Sequence, residues 1–248
     1  MTAVTMDQYA TRRAPPAAAG EAAFFNRYLL GLASFIALAF AQFDARGMVD
    51  VAALPLAIHL HAAVMVAWLG LLIMQPRVAG ASIATHRKLG WIGALLAVLV
   101  VALGITAGRA ALAAGIVPSF FAPAYFLALT QVEPIVFGAL VVWAITLRKH
   151  AEWHKRLLAG STILLLEPAF GRLLPMPLLG AWGQWAELAG QFTALALLVR
   201  FDRRTLGRVH GATLASVAAV IATHLMVTLL AALPAIEAAA LAMGPARA

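Results

Sequence analysis

Residues Leu89–Ala107 read LGWIGALLAVLVVALGITA, and this stretch decides the fold class. It carries no charged residue and is close to the roughly 20 residues that an α-helix needs to cross a bilayer. Six further mostly apolar stretches of similar length are Phe24–Phe43, Val51–Met74, Pro123–Leu147, Leu157–Leu174, Trp182–Val199 and Ala212–Leu233. The sequence therefore predicts an all-α, polytopic membrane helix bundle with seven transmembrane helices.

The composition of the 248-residue chain agrees with this fold class. Apolar residues make up 63% and charged residues 11%, whereas soluble domains are nearer half apolar and a quarter charged. The absence of cysteine excludes disulfides, thiolate zinc sites, iron–sulfur clusters and cysteine nucleophiles. The net charge of +8 would suggest nucleic acid in a soluble protein. Here the basic residues fall in short loops, so we expect the lipid bilayer as partner and no nucleic acid.

The distribution of Lys and Arg predicts the orientation, because basic loops are retained in the cytoplasm during insertion. Fourteen of the 18 basic residues fall on one side of the predicted spans, and that side is predicted to be cytoplasmic. The N-terminus is then inside and the C-terminus outside. The four on the other side are Arg46, Arg109, Arg172 and Arg247.

Three regions follow along the chain. Residues 1–23 are rich in Ala and Pro and are predicted to be a disordered cytoplasmic tail. Residues 24–239 form the transmembrane domain, and residues 240–248 a short external tail. No small-residue cleavage site convincingly follows the first apolar stretch, so we interpret it as an anchor and not a signal peptide.

Ionisable residues inside predicted spans are candidates for function, because each costs several kcal/mol in the bilayer. With a rise of about 1.5 Å per residue, five of them fall at similar depth in the outer half of the membrane. We expect Glu133, Glu167, His224 and one of His59 and His61 to converge on one cavity that opens outward. The five residues predicted at this similar depth are His59, His61, Glu133, Glu167 and His224.

Two spacings of histidines suggest cofactor binding. His210 and His224 are 14 residues apart and lie within roughly 40° on one helical face, at two depths. His59 and His61 point about 160° apart, so only one can face a given cofactor. His59 has small residues on its face, whereas His61 shares its stripe with Met65 and Trp68, and the choice stays open. His86 and His154 lie at cytoplasmic entrances, where histidines are also common as headgroup-level residues.

Both buried glutamates precede a proline, at Glu133-Pro134 and Glu167-Pro168. A proline frees the carbonyl four residues earlier and kinks the helix, which opens space and adds polarity near each carboxyl. Glu133 and Glu167 are therefore candidate catalytic residues, proton carriers or metal ligands. The alternative is a structural role, in which each is a protonated carboxyl that hydrogen-bonds to the loosened backbone; the functional interpretation is slightly favoured.

The stretch from His59 through Gly70 and Gln75 to HRKLGW at 86–91, with WHKRLL at 153–158, resembles a group of bacterial multi-pass membrane proteins of no settled activity. The likeness covers roughly residues 55–175 and implies the bacterial inner membrane. A looser similarity is to transmembrane di-haem cytochromes b, in which histidines of neighbouring helices bind haem at two depths.

These observations favour a haem b-binding redox protein, a transmembrane oxidoreductase with a quinone or another redox partner. An outer haem would be bound by His224 with His59 or His61, and an inner haem by His210 with His86 or His154. A second hypothesis is a metalloenzyme that binds zinc or iron, with the ligands His59, His61, His224, Glu133 and Glu167. The sequence is also compatible with a proton-coupled transporter and with an accessory scaffold protein.

Overall fold

The computed structural model describes residues 16–245, and the regular structure within this range is helical. Within residues 16–245, ten α-helices follow one another, with short 3₁₀ turns at Val51–Ala53 and Gly180–Trp182. The helices are α1 (Pro16–Ala45), α2 (Leu56–Ala81), α3 (Ile83–Ala113), α4 (Pro123–Thr146), α5 (Ala151–Leu164), α6 (Glu167–Leu173), α7 (Met176–Leu179), α8 (Gly183–Leu206), α9 (Gly211–Ala231) and α10 (Pro234–Met243).

Five of these helices, α1, α2, α3, α4 and α9, are long and apolar enough to cross a membrane. They support a helical membrane bundle. The other two predicted spans coincide with α5–α6 and α8, which are not among the five. The chain breaks between α5 and α6, and α8 carries Glu187 in its first half and several charges near its end.

Both predicted tails differ from the structure where it describes them. Helix α1 begins at Pro16, so residues 16–23 are helical and not disordered; proline fits the first helical turn, and alanine is the strongest helix former. Residues 240–243 belong to α10, whose Ala240 is buried against Leu112 and Leu127. Residues 1–15 and 246–248 lie outside the described residues, so the tails predicted there stay predictions.

The break between α5 and α6 occurs where Pro168 provides no backbone N–H for the carbonyl of Leu164. A side chain from another helix fills this role. Nε2 of the buried Gln191, on α8, donates to Leu164 O at 3.0 Å and to Ile163 O at 3.4 Å. The Glu167-Pro168 step therefore interrupts the helix, whereas Pro134 is accommodated inside an unbroken α4.

Helix α4 lies at the centre of the bundle and packs against α3, α5, α9 and α10. Helix α2 packs on α1 and α3, and α8 packs on α5, α6 and α9. We call the end of the bundle that carries the N-terminus of α5 and the C-terminus of α8 the basic end.

A buried ion-pair network at the basic end joins three of these helices. Arg156 of α5 is fully buried and pairs with the equally buried Asp202 of α8, with Nη2 2.8 Å from Oδ1. Its Nη1 also contacts Glu152 at 2.6 Å and Glu21 of α1 at 3.2 Å. Burial raises the pKa of Glu152, but hydrogen bonds with Lys155, Glu21 and Arg156 outweigh it and lower the pKa to about 2.

Candidate functional site

Three buried carboxyl groups lie within electrostatic range of one another inside the bundle. Glu133 lies in the middle of α4, Glu167 begins α6, and Glu187 lies on α8. They are 6%, 6% and 0% exposed, respectively. Each is within electrostatic range of the other two, and Tyr125 of α4 is within range of all three. We call Glu133, Glu167 and Glu187, with Tyr125, the carboxyl cluster.

The cluster contains few hydrogen bonds within the described residues. The Tyr125 hydroxyl donates to Oε1 of Glu167 across a long 3.5 Å. Oε1 of Glu133 and both carboxyl oxygens of Glu187 have no hydrogen-bond partner there. Buried polar atoms are usually paired, so a site with several unpaired oxygens is available to a proton, a cation or water.

A glycine makes room for Glu187. A methyl group at Gly171 of α6 would lie 2.7 Å from Oε1 of Glu187, so α6 and α8 approach closely because residue 171 has no side chain. The helix break before Glu167 and the glycine after it therefore bring two carboxyl-bearing helices together.

The positive charge nearest this cluster belongs to Arg172, which is in electrostatic range of Glu187. Its guanidinium stacks over the Phe40 ring of α1 at 3.9 Å, and its Nη1 donates to Pro168 O at 2.8 Å. Among the described residues Arg172 forms no ion pair. The cluster thus has three carboxyls and one adjacent cation that faces an aromatic ring.

Of the two histidines on α2, His61 is the one that faces the bundle. A methyl group at Gly104 of α3 would lie 3.3 Å from the His61 ring and 3.3 Å from the Pro134 ring, so His61 approaches α4 at Pro134. Within the described residues, Nδ1 of His61 is buried without a hydrogen-bond partner. His59 is exposed on the outer surface of α2.

His224 is buried on α9, but its close neighbour is Trp185 of α8, with ring centroids 4.8 Å apart. Its Nε2 has no hydrogen-bond partner in the described part of the chain. Of the predicted site residues, Glu133 and Glu167 are in electrostatic range of each other, His61 lies near the Pro134 ring, and His224 packs on Trp185. Convergence of these residues on one cavity that opens outward stays a prediction. The predicted outer haem ligands lie on α2 and α9, which have different neighbours. Helix α2 packs on α1 and α3, whereas α9 packs on α4, α5 and α8.

At the basic end His86 and His154 form an imidazole pair, with ring centroids 6.4 Å apart. Nδ1 of His154 lies 2.8 Å from Ala144 O. Burial lowers the pKa of His154, and the nearby His86 lowers it further, which favours the neutral form of the His154 ring. Neutral imidazoles oriented by a backbone carbonyl are typical of ligating histidines.

His210, predicted as an inner haem ligand, caps a helix in the structure. Its Nδ1 accepts a hydrogen bond from the Ala212 N–H at 3.1 Å and so caps α9, and its ring packs on Trp153 at 5.2 Å. A neutral imidazole that accepts at Nδ1 carries its proton on Nε2, so neither nitrogen is free to bind a metal. At the basic end, the neighbouring histidines are therefore His86 and His154.

The predicted zinc or iron site is not assembled within residues 16–245, where no group of three or more His, Cys, Asp and Glu side chains is placed to hold a metal ion. The reason is the direction of two predicted ligands: His59 faces outward from the bundle, and His224 packs against Trp185.

Comparison with known proteins gives no further guidance. No protein family, curated protein or solved structure matches the chain. The resemblance inferred from the His59 to Trp91 stretch stays a prediction, and function has to be argued from geometry.

Two members of the carboxyl cluster, Tyr125 and Glu187, were not predicted as site residues. A signal for Glu187 exists in the sequence. Glu187, Gln191, Leu198 and Asp202 repeat at helical spacing, and all four are buried in α8. Such a polar stripe in a membrane helix indicates an inward face.

Proposed function

We propose that the chain is a proton-coupled transporter of the bacterial inner membrane, with seven transmembrane helices, the N-terminus inside and the C-terminus outside. The five long apolar helices support the bundle, and the excess of Lys and Arg on one side supports the orientation. Reporter fusions test the topology: those after Ala81, Ala151 and Arg204 should report cytoplasm, and those after Gly47 and Pro118 periplasm. A cytoplasmic C-terminus would exclude seven spans with this orientation.

The carboxyl cluster is the observation that supports transport. Three carboxylates in one buried site would repel each other, and an isolated buried charge is costly. The cluster therefore holds protons, or a cation in their place. Exchange of the two is the elementary step of proton-coupled transport, and intramembrane carboxyls mark such pathways in known transporters.

The interrupted helix beside the cluster adds support. Substrate and ion sites of secondary transporters are commonly formed by discontinuous helices at the middle of the membrane. Here the chain breaks at residues 165–166, immediately before Glu167, and the break is stabilised by Gln191. Protonation of Glu167 or Glu187 would change the charge at the junction of α6 and α8.

The test is proton flux in liposomes that contain the purified protein. An imposed Na⁺ or K⁺ gradient should drive proton movement in the opposite direction, reported by a pH-sensitive dye, faster than in empty liposomes. Glu133→Gln, Glu167→Gln and Glu187→Gln should each reduce the flux at least tenfold, about 1.4 kcal/mol in activation free energy. The matched control is Glu237→Gln, because Glu237 is exposed on α10. Equal flux in wild-type and empty liposomes would refute the proposal.

Haem binding is a second candidate function, and the imidazole pair favours it. An ion bound by two imidazoles at roughly 2 Å each would place their ring centroids about 6 Å apart, near the 6.4 Å found for His86 and His154. The hydrogen bond from His154 to a backbone carbonyl suits a ligand whose other nitrogen binds iron. Haem b there would supply one-electron chemistry, with a quinone or another redox partner.

An absorption spectrum of the purified protein, before and after dithionite, tests this candidate. Haem would give a Soret band that His86→Ala and His154→Ala both abolish. His59→Ala is the matched control, since that ring is exposed, and His210→Ala should keep the band. A colourless preparation from haem-replete cells would exclude haem binding.

A further inference from the structure

Two apolar grooves run along opposite sides of α8 and end at the same arginines. One lies between α8 and α9, has a volume of about 510 Å³ and is walled by Phe192, Leu195 and Val217. The other lies between α1 and α8, has a volume of about 500 Å³ and is walled by Tyr28, Leu32 and Leu197. Arg200 and Arg204 line both grooves, Arg203 lines the first and Arg27 the second.

These four arginines lie together at the basic end. Arg200, Arg203 and Arg204 are neighbours on one face of α8, since residues three and four apart on a helix lie side by side. Phe24 of α1 stacks on Phe201 of α8 with ring centroids 3.8 Å apart, which holds Arg27 at the same level.

The four arginines also lack protein partners. Within residues 16–245, none of Arg27, Arg200, Arg203 and Arg204 forms an ion pair, although Lys155 and Arg156 at the same end are paired. All four are exposed. A cluster of unpaired guanidinium groups binds phosphate well, because the planar fork of arginine matches phosphate oxygens.

We propose that α8 is a binding site for a phospholipid with two phosphate groups, a cardiolipin. Its phosphates would contact Arg27, Arg200 and Arg204, and its acyl chains would lie in both grooves against their apolar walls. Because Arg200 and Arg204 are common to the two grooves, the phosphates need be no more than about one helical turn apart. A lipid with one phosphate can satisfy only half of this arrangement.

The orientation signal alone does not explain these features. Basic residues retain a loop in the cytoplasm wherever in the loop they lie, as at Arg148 and Lys149. An orientation signal does not require grooves on both sides of one helix. It also does not require that Arg27 of α1 lie level with Arg200, Arg203 and Arg204 of α8. The lipid proposal rests on the membrane location and is independent of proton transport.

Native mass spectrometry of the full chain in detergent, titrated with cardiolipin, phosphatidylglycerol or phosphatidylethanolamine, tests the site. Wild type should retain one cardiolipin. Each arginine near anionic lipid contributes about fivefold to affinity, so the triple variant Arg27→Gln/Arg200→Gln/Arg204→Gln should bind on the order of a hundredfold more weakly. The matched control is the triple variant Arg148→Gln/Lys149→Gln/Arg208→Gln, which removes the same charge outside both grooves. Its affinity for cardiolipin should stay within about threefold of that of wild type.

A second pair of variants blocks a groove without changing charge. Ala196 lines the groove between α8 and α9, so Ala196→Trp should weaken cardiolipin binding, whereas Thr193→Trp, on the same helix and outside both grooves, should not. Equal loss in the two charge variants would mean diffuse attraction and would overturn the proposal. So would phosphatidylglycerol binding as tightly as cardiolipin, or displacement of cardiolipin by millimolar inorganic phosphate.

Discussion

Replacing Asp202 with alanine should destabilise the protein more than any other single change at the basic end. The Asp202 carboxylate accepts from Nε of Arg156 at 2.9 Å and from the backbone N–H of His210 at 3.0 Å, and the hydroxyl of Thr213 donates to it as well. Asp202→Ala leaves these donors without their acceptor, in a place where Arg156 is fully buried.

The magnitude follows from burial. Breaking a buried ion pair by removing one partner costs about 3–5 kcal/mol. Glu152 and Glu21 still contact Arg156, so we expect the lower figure of about 3 kcal/mol. At roughly 2–4 °C per kcal/mol for a chain of this size, Tm should fall by roughly 6–12 °C. Glu152→Ala removes a carboxyl that is 46% exposed and should cost under about 1 kcal/mol.

The assay is thermal unfolding in detergent, followed by tryptophan fluorescence. The double variant Arg156→Met/Asp202→Leu should recover part of the lost stability, because apolar replacement of a whole buried pair is often neutral. The remainder stays lost because the His210 N–H and the Thr213 hydroxyl still lack their acceptor. The reasoning fails if Asp202→Ala and Glu152→Ala shift Tm equally, since burial would then not control the cost.

Three further predictions use the same assay. Gly160→Ala places a methyl group in overlap with Ser216 and should lower the free energy of unfolding by about 1–3 kcal/mol. Gly70→Ala is the matched control, because a methyl group there would have no atom within 4 Å, and it should raise the free energy of unfolding by about 0.5–1 kcal/mol. Gln191→Leu leaves the Leu164 carbonyl at the α5–α6 break without its 3.0 Å hydrogen bond and should cost about 1–3 kcal/mol. The folded-state pKa of Glu152 is lowered from 4.5 to about 2. The contribution of Glu152 to the free energy of unfolding is therefore full above pH 4.5 and is lost as the pH falls toward 2. Glu152→Gln should reduce this acid-dependent loss of Tm.

The fold class could be predicted because the bilayer imposes a length and a composition on each span. Helix ends were harder to predict, since Pro16 and the alanines after it suit both a disordered tail and a first helical turn. The two Glu-Pro steps looked alike in sequence, yet Pro134 stays inside α4 whereas Pro168 ends α5. The difference depends on Gln191, which is distant in sequence.

The site was predicted in part because depth along a helix is readable from sequence, whereas the direction of a side chain is not. Glu133 and Glu167 were predicted at a shared depth, and they lie within electrostatic range of each other. The choice between His59 and His61 could not be made, since α2 is apolar on every face and carries no strong amphipathic signal. The buried stripe of α2, with Trp68 and Leu72, continues to His61 at helical spacing and leaves His59 outside.

The ion pair between Arg156 and Asp202 has a consequence for biogenesis. The two residues are 46 positions apart, so Arg156 is synthesised and inserted before its buried partner exists. Until α8 emerges, its nearest carboxylates are Glu152, one turn away, and Glu21 on the first helix. Helices α1 and α5 can therefore associate early, but the basic end closes only after Asp202 has left the ribosome. We expect nascent chains truncated before that residue to remain substrates for membrane quality-control proteases.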